Sequence, residues 1–361
     1  MGAEHLKPLT SMRFLAAMWV VLYHYWPDLD LGALQGWVPG LVAKGYLGVE
    51  LFFVLSGFIL CHVYLQAAGE KRFRYGGFLW ARLARVYPLH LATLAGVGAL
   101  AAAAAVAGLA IDSTIVSWSS LPANLAMVHA WGLAPEAGWN HPSWSISAEW
   151  FAYLCFPGFA WAAWRLRERP GLALFLTTAG LMASYWLFER LAGFPLTQAT
   201  IHWGALRIVS CFAYGCAAYL AWRAGGLSRP GLFALAATAA ILASAGLQLW
   251  DGVTVALFGV LILGLAGLSG RRGALESRPG VWLGEVSYSV YMVCIPWKMV
   301  AVNAAGRLSG TETLPWWLWL AVIAMVVPLA GLSYHLIERP ARGWMRRLAE
   351  RRAAAAAAQP A

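Results

Sequence analysis

Ionisable side chains inside apolar stretches are the first candidates for chemistry in this sequence. A charged group near the centre of a bilayer costs roughly 2.5 to 3.5 kcal/mol, so such residues usually serve a function. The candidates are Arg13, His24, Glu50, His62, Glu149, Arg207, Glu285, Lys298, His335 and Glu338.

Arg13 and His24 are eleven positions apart in RFLAAMWVVLYH. On a helix, this spacing spans about 16 Å and returns both side chains to nearly the same face. A neutral imidazole in a poorly solvated site can accept a proton near neutral pH. His24 is therefore a candidate general base. The structural alternative is a snorkelling arginine together with a hydrogen-bonded packing histidine.

Arg82 and Arg85 are three residues apart in RLARVYP, which places both guanidinium groups on one side of a helix. The fixed fork of guanidinium donors suits phosphate groups. We therefore expect this pair to bind a soluble phosphorylated donor. Contact with lipid headgroups alone is the structural alternative.

Glu149 lies in HPSWSISAEW, shortly after a helix start predicted at Pro142 and Ser143. Its carboxylate can orient an imidazole or an acceptor hydroxyl from the outer side, or it can be structural. Glu50, in GYLGVELFFVLSGFIL, is expected to line the same cavity. The glycines of that run predict close helix packing.

Polar groups of LGEVSYSVYM, namely Ser287, Tyr288, Ser289 and Tyr291, are expected to hydrogen-bond between helices. His335 and Glu338 are interpreted as an ionic latch or a chemical site at the end of the last span. Arg207, Lys298 and His62 are interpreted as packing or snorkelling residues.

The elements that position these residues follow from composition. Of 361 residues, 61% are hydrophobic and only 12% are charged, which excludes an ordinary water-soluble globule. Ten apolar stretches are candidates for spanning helices. They cover residues 10–26, 46–65, 88–111, 143–164, 171–188, 203–222, 231–249, 253–269, 281–303 and 316–337.

The predicted fold is therefore all-α: a polytopic membrane protein built as a bundle of about ten transmembrane helices. A basic amphipathic segment, residues 71–87, is expected to lie on the membrane surface between the second and third spans. Residues 1–340 form the predicted transmembrane domain, and residues 341–361 a basic, alanine-rich cytoplasmic tail.

The formal net charge of +10 is explained by membrane topology. With both termini in the cytoplasm, the inner connections and tail carry 21 basic residues and the outer connections carry three. This asymmetry predicts a protein of the cytoplasmic (inner) membrane with no nucleic-acid partner. The five cysteines lack a CxxC pair, so neither a disulfide framework nor a metal site is expected.

Taken together, these motifs resemble the acyltransferase family 3 integral membrane proteins, which O-acetylate surface polysaccharides and related acceptors. The resemblance extends from Leu9 to Pro340. It is carried by the Arg13-to-His24 pattern, GYLGVELFFVLSGFIL, RLARVYP, SWSISAEWFAYL, LGEVSYSVYM and the sequence Glu338-Arg339-Pro340.

The resemblance implies transfer of an acyl group, expected to be acetyl, to a hydroxyl of an extracytoplasmic or lipid-linked carbohydrate such as an exopolysaccharide or lipopolysaccharide. Cytoplasmic acetyl-CoA is the implied co-substrate, and no prosthetic group is implied. By the same resemblance, His24 is the catalytic histidine and Arg13 its paired basic residue. Arg82 and Arg85 are the donor-side arginines, and Glu149 is the acidic residue of a WSxxxE motif.

Several points stay open in the sequence. His24 could act as a general base or carry a covalent acetyl group. Cys294, in YMVCIP, stands where relatives often have a histidine. The main alternative function is a transporter or flippase of a sugar or lipid-linked intermediate. A structural subunit of a glycan export complex is a third possibility. Coenzyme A binding would distinguish an enzyme from a carrier.

Overall fold

The structure is a computed structural model that describes residues 4–109, 114–310 and 313–357. Within these ranges it is helical, with an isolated bridge between Leu29 and Leu314 and no β-strand. The first helices are α1 (Lys7–Tyr25), α2 (Gly40–Ala43), α3 (Gly48–Gly69), α4 (Tyr75–Val106), α5 (Leu121–Leu125), α6 (Trp144–Leu154) and α7 (Phe156–Arg165). They are followed by α8 (Pro170–Ala192), α9 (Gly204–Arg223), α10 (Pro230–Gly246), α11 (Asp251–Ala266), α12 (Arg278–Ser309), α13 (Trp316–Ser333) and α14 (Arg339–Ala357).

Within the described residues, every predicted apolar stretch overlaps a helix; residues 110 and 111 of the third stretch lie outside the described residues. The fourth stretch is divided between α6 and α7 beside Pro157, which cannot donate a backbone hydrogen bond. Five helical stretches of the described chain are long and apolar enough to cross a membrane. They are Gly45–Gly69, Tyr75–Val106, Pro170–Ala192, Gly204–Arg223 and Trp316–Arg351. Helices α10 and α11 are apolar but shorter. An all-helical membrane architecture is confirmed, whereas the count of ten spans stays a prediction.

The start of α4 differs from the prediction. The structure has no separate surface helix ending at Pro88, because α4 continues through this proline to Val106. A proline removes only one backbone donor, so a long helix can continue through it when neighbouring elements support it. Here the Tyr288 hydroxyl of α12 donates to the Val86 carbonyl at 2.7 Å, just before Pro88.

Long-range polar contacts define the two ends of the bundle. At one end, the Ser11 hydroxyl of α1 donates to the Leu275 carbonyl in the α11–α12 connection at 2.6 Å. At the other end, Lys44 forms an ion pair with Asp251 at the start of α11, at 2.5 Å. Because successive long helices alternate in direction, the arginine-rich connections and α14 lie at the first of these ends, which we call the basic end. We call the second the outer end.

Glycines bring α3 and α9 into close backbone contact. A Cβ atom added to Gly57 of α3 would overlap the carbonyl oxygen of Phe212, and one added to Gly215 of α9 would overlap that of Val54. Small residues at such crossings allow helices to approach closely in membranes. The close packing predicted for the glycine-containing run of α3 is confirmed.

Candidate functional site

A cavity of about 260 Å³ lies between α1, α3, α4, α6, α12 and α14. Its wall on α3 runs from Val49 to Leu60, a length of about 16 Å along the helix axis. The charged residues in the described lining are Arg13, Arg82, Arg85, Glu149, Arg342 and Arg346. Five guanidinium groups thus accompany one carboxylate, and this surplus of positive charge favours an anionic ligand.

Four of the five predicted site residues line this one cavity. Helix α1 contributes Arg13, α4 contributes Arg82 and Arg85, and α6 contributes Glu149. The three-residue spacing of the two α4 arginines places both in the cavity, as the helical period requires. The structure brings these four residues together, and their individual chemical roles stay predictions.

Glu149 lies near two of the arginines of the cavity. It is half-buried and interacts electrostatically with Arg13 and Arg85, and its side chain neighbours Tyr153 and Ser56. Tyr153 follows it by one helical turn and also lines the cavity. A carboxylate in this position can orient guanidinium groups or a ligand hydroxyl by accepting their hydrogen bonds.

Two of the arginines rest against aromatic rings. The guanidinium carbon of Arg13 lies 5.9 Å from the centroid of the Phe52 ring, and that of Arg82 lies 5.9 Å from the Tyr64 ring. Such contacts stabilise a cation without using its hydrogen-bond donors. The buried Nε of Arg82 has no hydrogen-bond partner among the residues that the structure describes. Buried donors are normally satisfied, so this group is free to bind a ligand or water.

His24, the fifth predicted residue, does not line the cavity. On α3 the described cavity lining begins at Val49, the second residue of the helix. Gly48, next to the cavity-lining end of α3, packs against α1 at Ala16 and Val20. His24 therefore lies about 6 Å or more further along α1, toward the outer end.

Lys298 of α12, interpreted from the sequence as a packing or snorkelling residue, lies near His24 in the structure. Its ammonium donates to the His24 backbone carbonyl at 2.6 Å and forms an ion pair with Asp28 at 2.9 Å. The His24 imidazole is half-buried and interacts electrostatically with Lys298 and His141. Lys298 thus joins the end of α1 to α12 and does not snorkel toward the membrane surface.

Glu50 was expected in the same cavity as Glu149, and this expectation is wrong. Its carboxylate is fully buried and accepts hydrogen bonds from Nε and Nη2 of Arg207, the second at 2.8 Å. The third guanidinium nitrogen of Arg207 donates to the Ala199 carbonyl at 2.8 Å. A buried carboxylate needs a charged partner, and α9 supplies it. Arg207 is therefore an ion-pair residue and not a snorkelling one.

The hydroxyl groups of α12 have several partners. Tyr288 bonds to α4, as described above, and Ser289 donates to the buried carboxylate of Glu338 at 3.0 Å, so the predicted contacts between helices are confirmed for both. Ser287 instead donates within its own helix, to the Gly284 carbonyl at 2.7 Å. Cys294 is buried and does not line the cavity.

Sequence reasoning also missed part of the cavity itself. Tyr153 could have been found from its spacing, since it stands four residues after Glu149 on the same helix face. Arg342 and Arg346 were assigned to the tail, and only the packing of α14 shows that they line the cavity.

Comparison with known proteins identifies the family. A family model described as an acyltransferase domain matches residues 8–335, so the chain belongs to the acyltransferase family 3 proteins. It is an O-acyltransferase enzyme. Acyltransferase MdmB of Streptomyces mycarofaciens is 30% identical, and the alignment covers 99% of this chain and 96% of that protein.

Further relatives carry names that refer to glycans. Exopolysaccharide production protein ExoZ of Rhizobium meliloti is 29% identical over 84% of this chain and 92% of its own length. Peptidoglycan O-acetyltransferase OatA of Listeria monocytogenes is 24% identical over 94% of this chain, which spans 56% of that longer protein. No solved structure matches the chain.

Proposed function

We propose that this O-acyltransferase takes an acetyl group from acetyl-CoA at its basic end and transfers it to a carbohydrate hydroxyl at its outer end. The observation that carries the proposal is that five arginines and Glu149 line one and the same cavity. A carbohydrate acceptor is supported by the names of the exopolysaccharide and peptidoglycan relatives. An exopolysaccharide or a lipopolysaccharide would supply such hydroxyls.

The proposed orientation places ten spans in the cytoplasmic membrane with both termini inside. It is supported by the excess of arginine and lysine at the basic end. In this orientation the arginine-lined cavity faces the compartment that contains acyl-CoA. Arg13, Arg82 and Arg85 would then bind phosphate oxygens of the donor, for which guanidinium groups are well suited.

The proposed chemistry is acyl transfer with His24 as the general base. The imidazole removes the proton of the acceptor hydroxyl while the oxygen attacks the thioester carbonyl. The new carbon–oxygen bond forms as the carbon–sulfur bond breaks, and the proton passes from the imidazole to the departing coenzyme A sulfur. Because His24 does not line the cavity, the thioester end of the donor would have to extend from the cavity toward the outer end of α1 to reach the imidazole.

Binding of acetyl-CoA to purified protein in detergent tests the donor. We expect micromolar affinity, with at least a tenfold loss in Arg82→Gln, because a charge-assisted hydrogen bond contributes about 1.5 to 3 kcal/mol. Arg190→Gln is the matched control. Arg190 lies near the carboxyl end of α8, against the ring of Trp186, and it does not line the cavity. Absence of acetyl-CoA binding by the wild-type protein would support the carrier alternative instead.

Mass spectrometry of the surface glycans of host cells tests the acceptor and the base. Acetyl groups on these glycans should require the protein and should be lost with His24→Ala. His62→Ala is the matched control, because His62 contacts the Glu4 carbonyl near the basic end and does not line the cavity. Unchanged glycan acetylation in the His24 variant, at normal expression, would exclude His24 as the base.

A further inference from the structure

Helix α14 shares two residues with the cavity. Arg342 and Arg346 stand one turn apart, so they lie on the same side of α14. Both line the cavity together with residues of α4. Helix α14 is held against α4 by Trp80, whose indole nitrogen donates to the Met345 carbonyl at 2.8 Å. This part of the predicted tail is therefore packed against the bundle.

The connection to α13 also holds α14 in place. A π-helical turn, Tyr334–Glu338, joins the two helices directly, and Glu338 in this turn is buried. The carboxylate of Glu338 accepts from Ser289 of α12 and lies 3.8 Å from the guanidinium of Arg342. Single π-helical turns inside longer helices are frequent at functional sites.

The same two arginines continue into a basic groove on the surface. This groove, which we call the α14 groove, is lined by His335, Arg339, Pro340, Arg342, Gly343, Arg346 and Arg347. Arg346 is exposed, whereas Arg13 and Glu149, which line the same cavity, are half-buried. The positive charge of the cavity thus extends to solvent along α14.

We propose that α14 forms the mouth of the donor site, where Arg342 and Arg346 bind the terminal phosphate monoester of a nucleotide thioester. The inference rests on the proposed function and names the part of acetyl-CoA that this helix recognises: the 3′-phosphate of its adenosine. A phosphate monoester carries a charge of about −1.5 to −2 near neutral pH. Two guanidinium groups at the mouth match that charge, and the inner arginines remain available for the pyrophosphate.

Comparison of acetyl-CoA with its 3′-dephospho analogue tests this assignment. The full-length protein is placed in nanodiscs of phosphatidylcholine, and dissociation constants are measured for both thioesters. Arg346→Gln should weaken acetyl-CoA binding about tenfold to a hundredfold, as expected for one charge-assisted contact, and leave binding of the dephospho analogue unchanged. Arg351→Gln, on the same helix but outside both linings, is the matched control.

The outcomes separate this inference from the proposed function. If wild-type protein binds neither thioester, the proposed function fails and the inference with it. If Arg82→Gln weakens binding of acetyl-CoA but Arg346→Gln and Arg342→Gln do not, only the role of α14 is overturned. If the arginine variants lose affinity only when phosphatidylglycerol is added to the nanodiscs, α14 binds a lipid headgroup and the assignment is wrong.

Discussion

Breaking the buried ion pair between Glu50 and Arg207 should destabilise the whole bundle. The exposed fractions of the two residues are 0% and 2%, and the pair joins α3 to α9. The guanidinium carbon of Arg207 also lies 4.6 Å from the ring centroid of Trp144, the first residue of the helix that carries Glu149. The pair therefore anchors three helices, two of which, α3 and α6, contribute to the cavity.

The expected magnitude follows from the charge that remains. Glu50→Gln leaves the guanidinium buried without its counter-charge, a change that costs about 3 to 5 kcal/mol. This corresponds to an increase of roughly a hundredfold to several thousandfold in the unfolding equilibrium constant. The double variant Glu50→Leu with Arg207→Leu should be more stable than Glu50→Gln, because neither charge then needs to be desolvated.

Equilibrium unfolding in mixed detergent micelles, followed by tryptophan fluorescence and circular dichroism, measures both effects. Acetyl-CoA affinity of the folded protein should stay near the wild-type value, since Glu50 does not line the cavity. A loss below about 1 kcal/mol in Glu50→Gln would refute this reasoning, since that is the range of exposed ion pairs. If the loss of stability in the double variant equalled the sum of the losses in Glu50→Leu and Arg207→Leu measured singly, the reasoning would also be refuted.

Three further predictions concern packing and chemistry. Gly215→Val should lower the free energy of unfolding by about 1 to 3 kcal/mol through overlap with α3. Gly180→Ala, in open space on α8, should not lower it. Equal thermal stability of the two variants would contradict this prediction. Glu149→Gln should keep acetyl-CoA binding and lower the transfer rate about a hundredfold or more, and a parallel loss of binding would contradict it. Lys298→Met should lower kcat up to about a hundredfold with an unchanged KM for acetyl-CoA, with partial rescue in Lys298→Arg, and a change in KM alone would contradict it.

Local patterns account for what the sequence predicted. Apolar runs locate the helices, because a spanning segment must satisfy its backbone hydrogen bonds internally. The spacing of Arg82 and Arg85 predicts a shared face, and both residues line the cavity. The end of the surface segment at Pro88 was predicted wrongly, because proline weakens a helix without always ending it.

Contacts between distant segments account for what the sequence missed. Glu50 and Arg207 are separated by 157 positions, and neither sequence context identifies the other as its partner. The same holds for Lys298 and the end of α1, and for α14 and the cavity. These pairings depend on which helices are neighbours in the bundle, and periodicity along one helix contains no information about its neighbours.

The position of His24 outside the cavity lining bears on the choice between a transferase and a carrier. His24 lies about 6 Å or more along α1 beyond the contact of Val20 with Gly48, and it is not part of the described cavity lining. A carrier must open a path for the whole substrate by moving one group of helices against another. A transferase needs only a narrow passage for a thioester, which movement of single side chains can provide. Acyl transfer therefore requires less movement of the bundle than carriage of a whole substrate, and it agrees with the family to which the chain belongs.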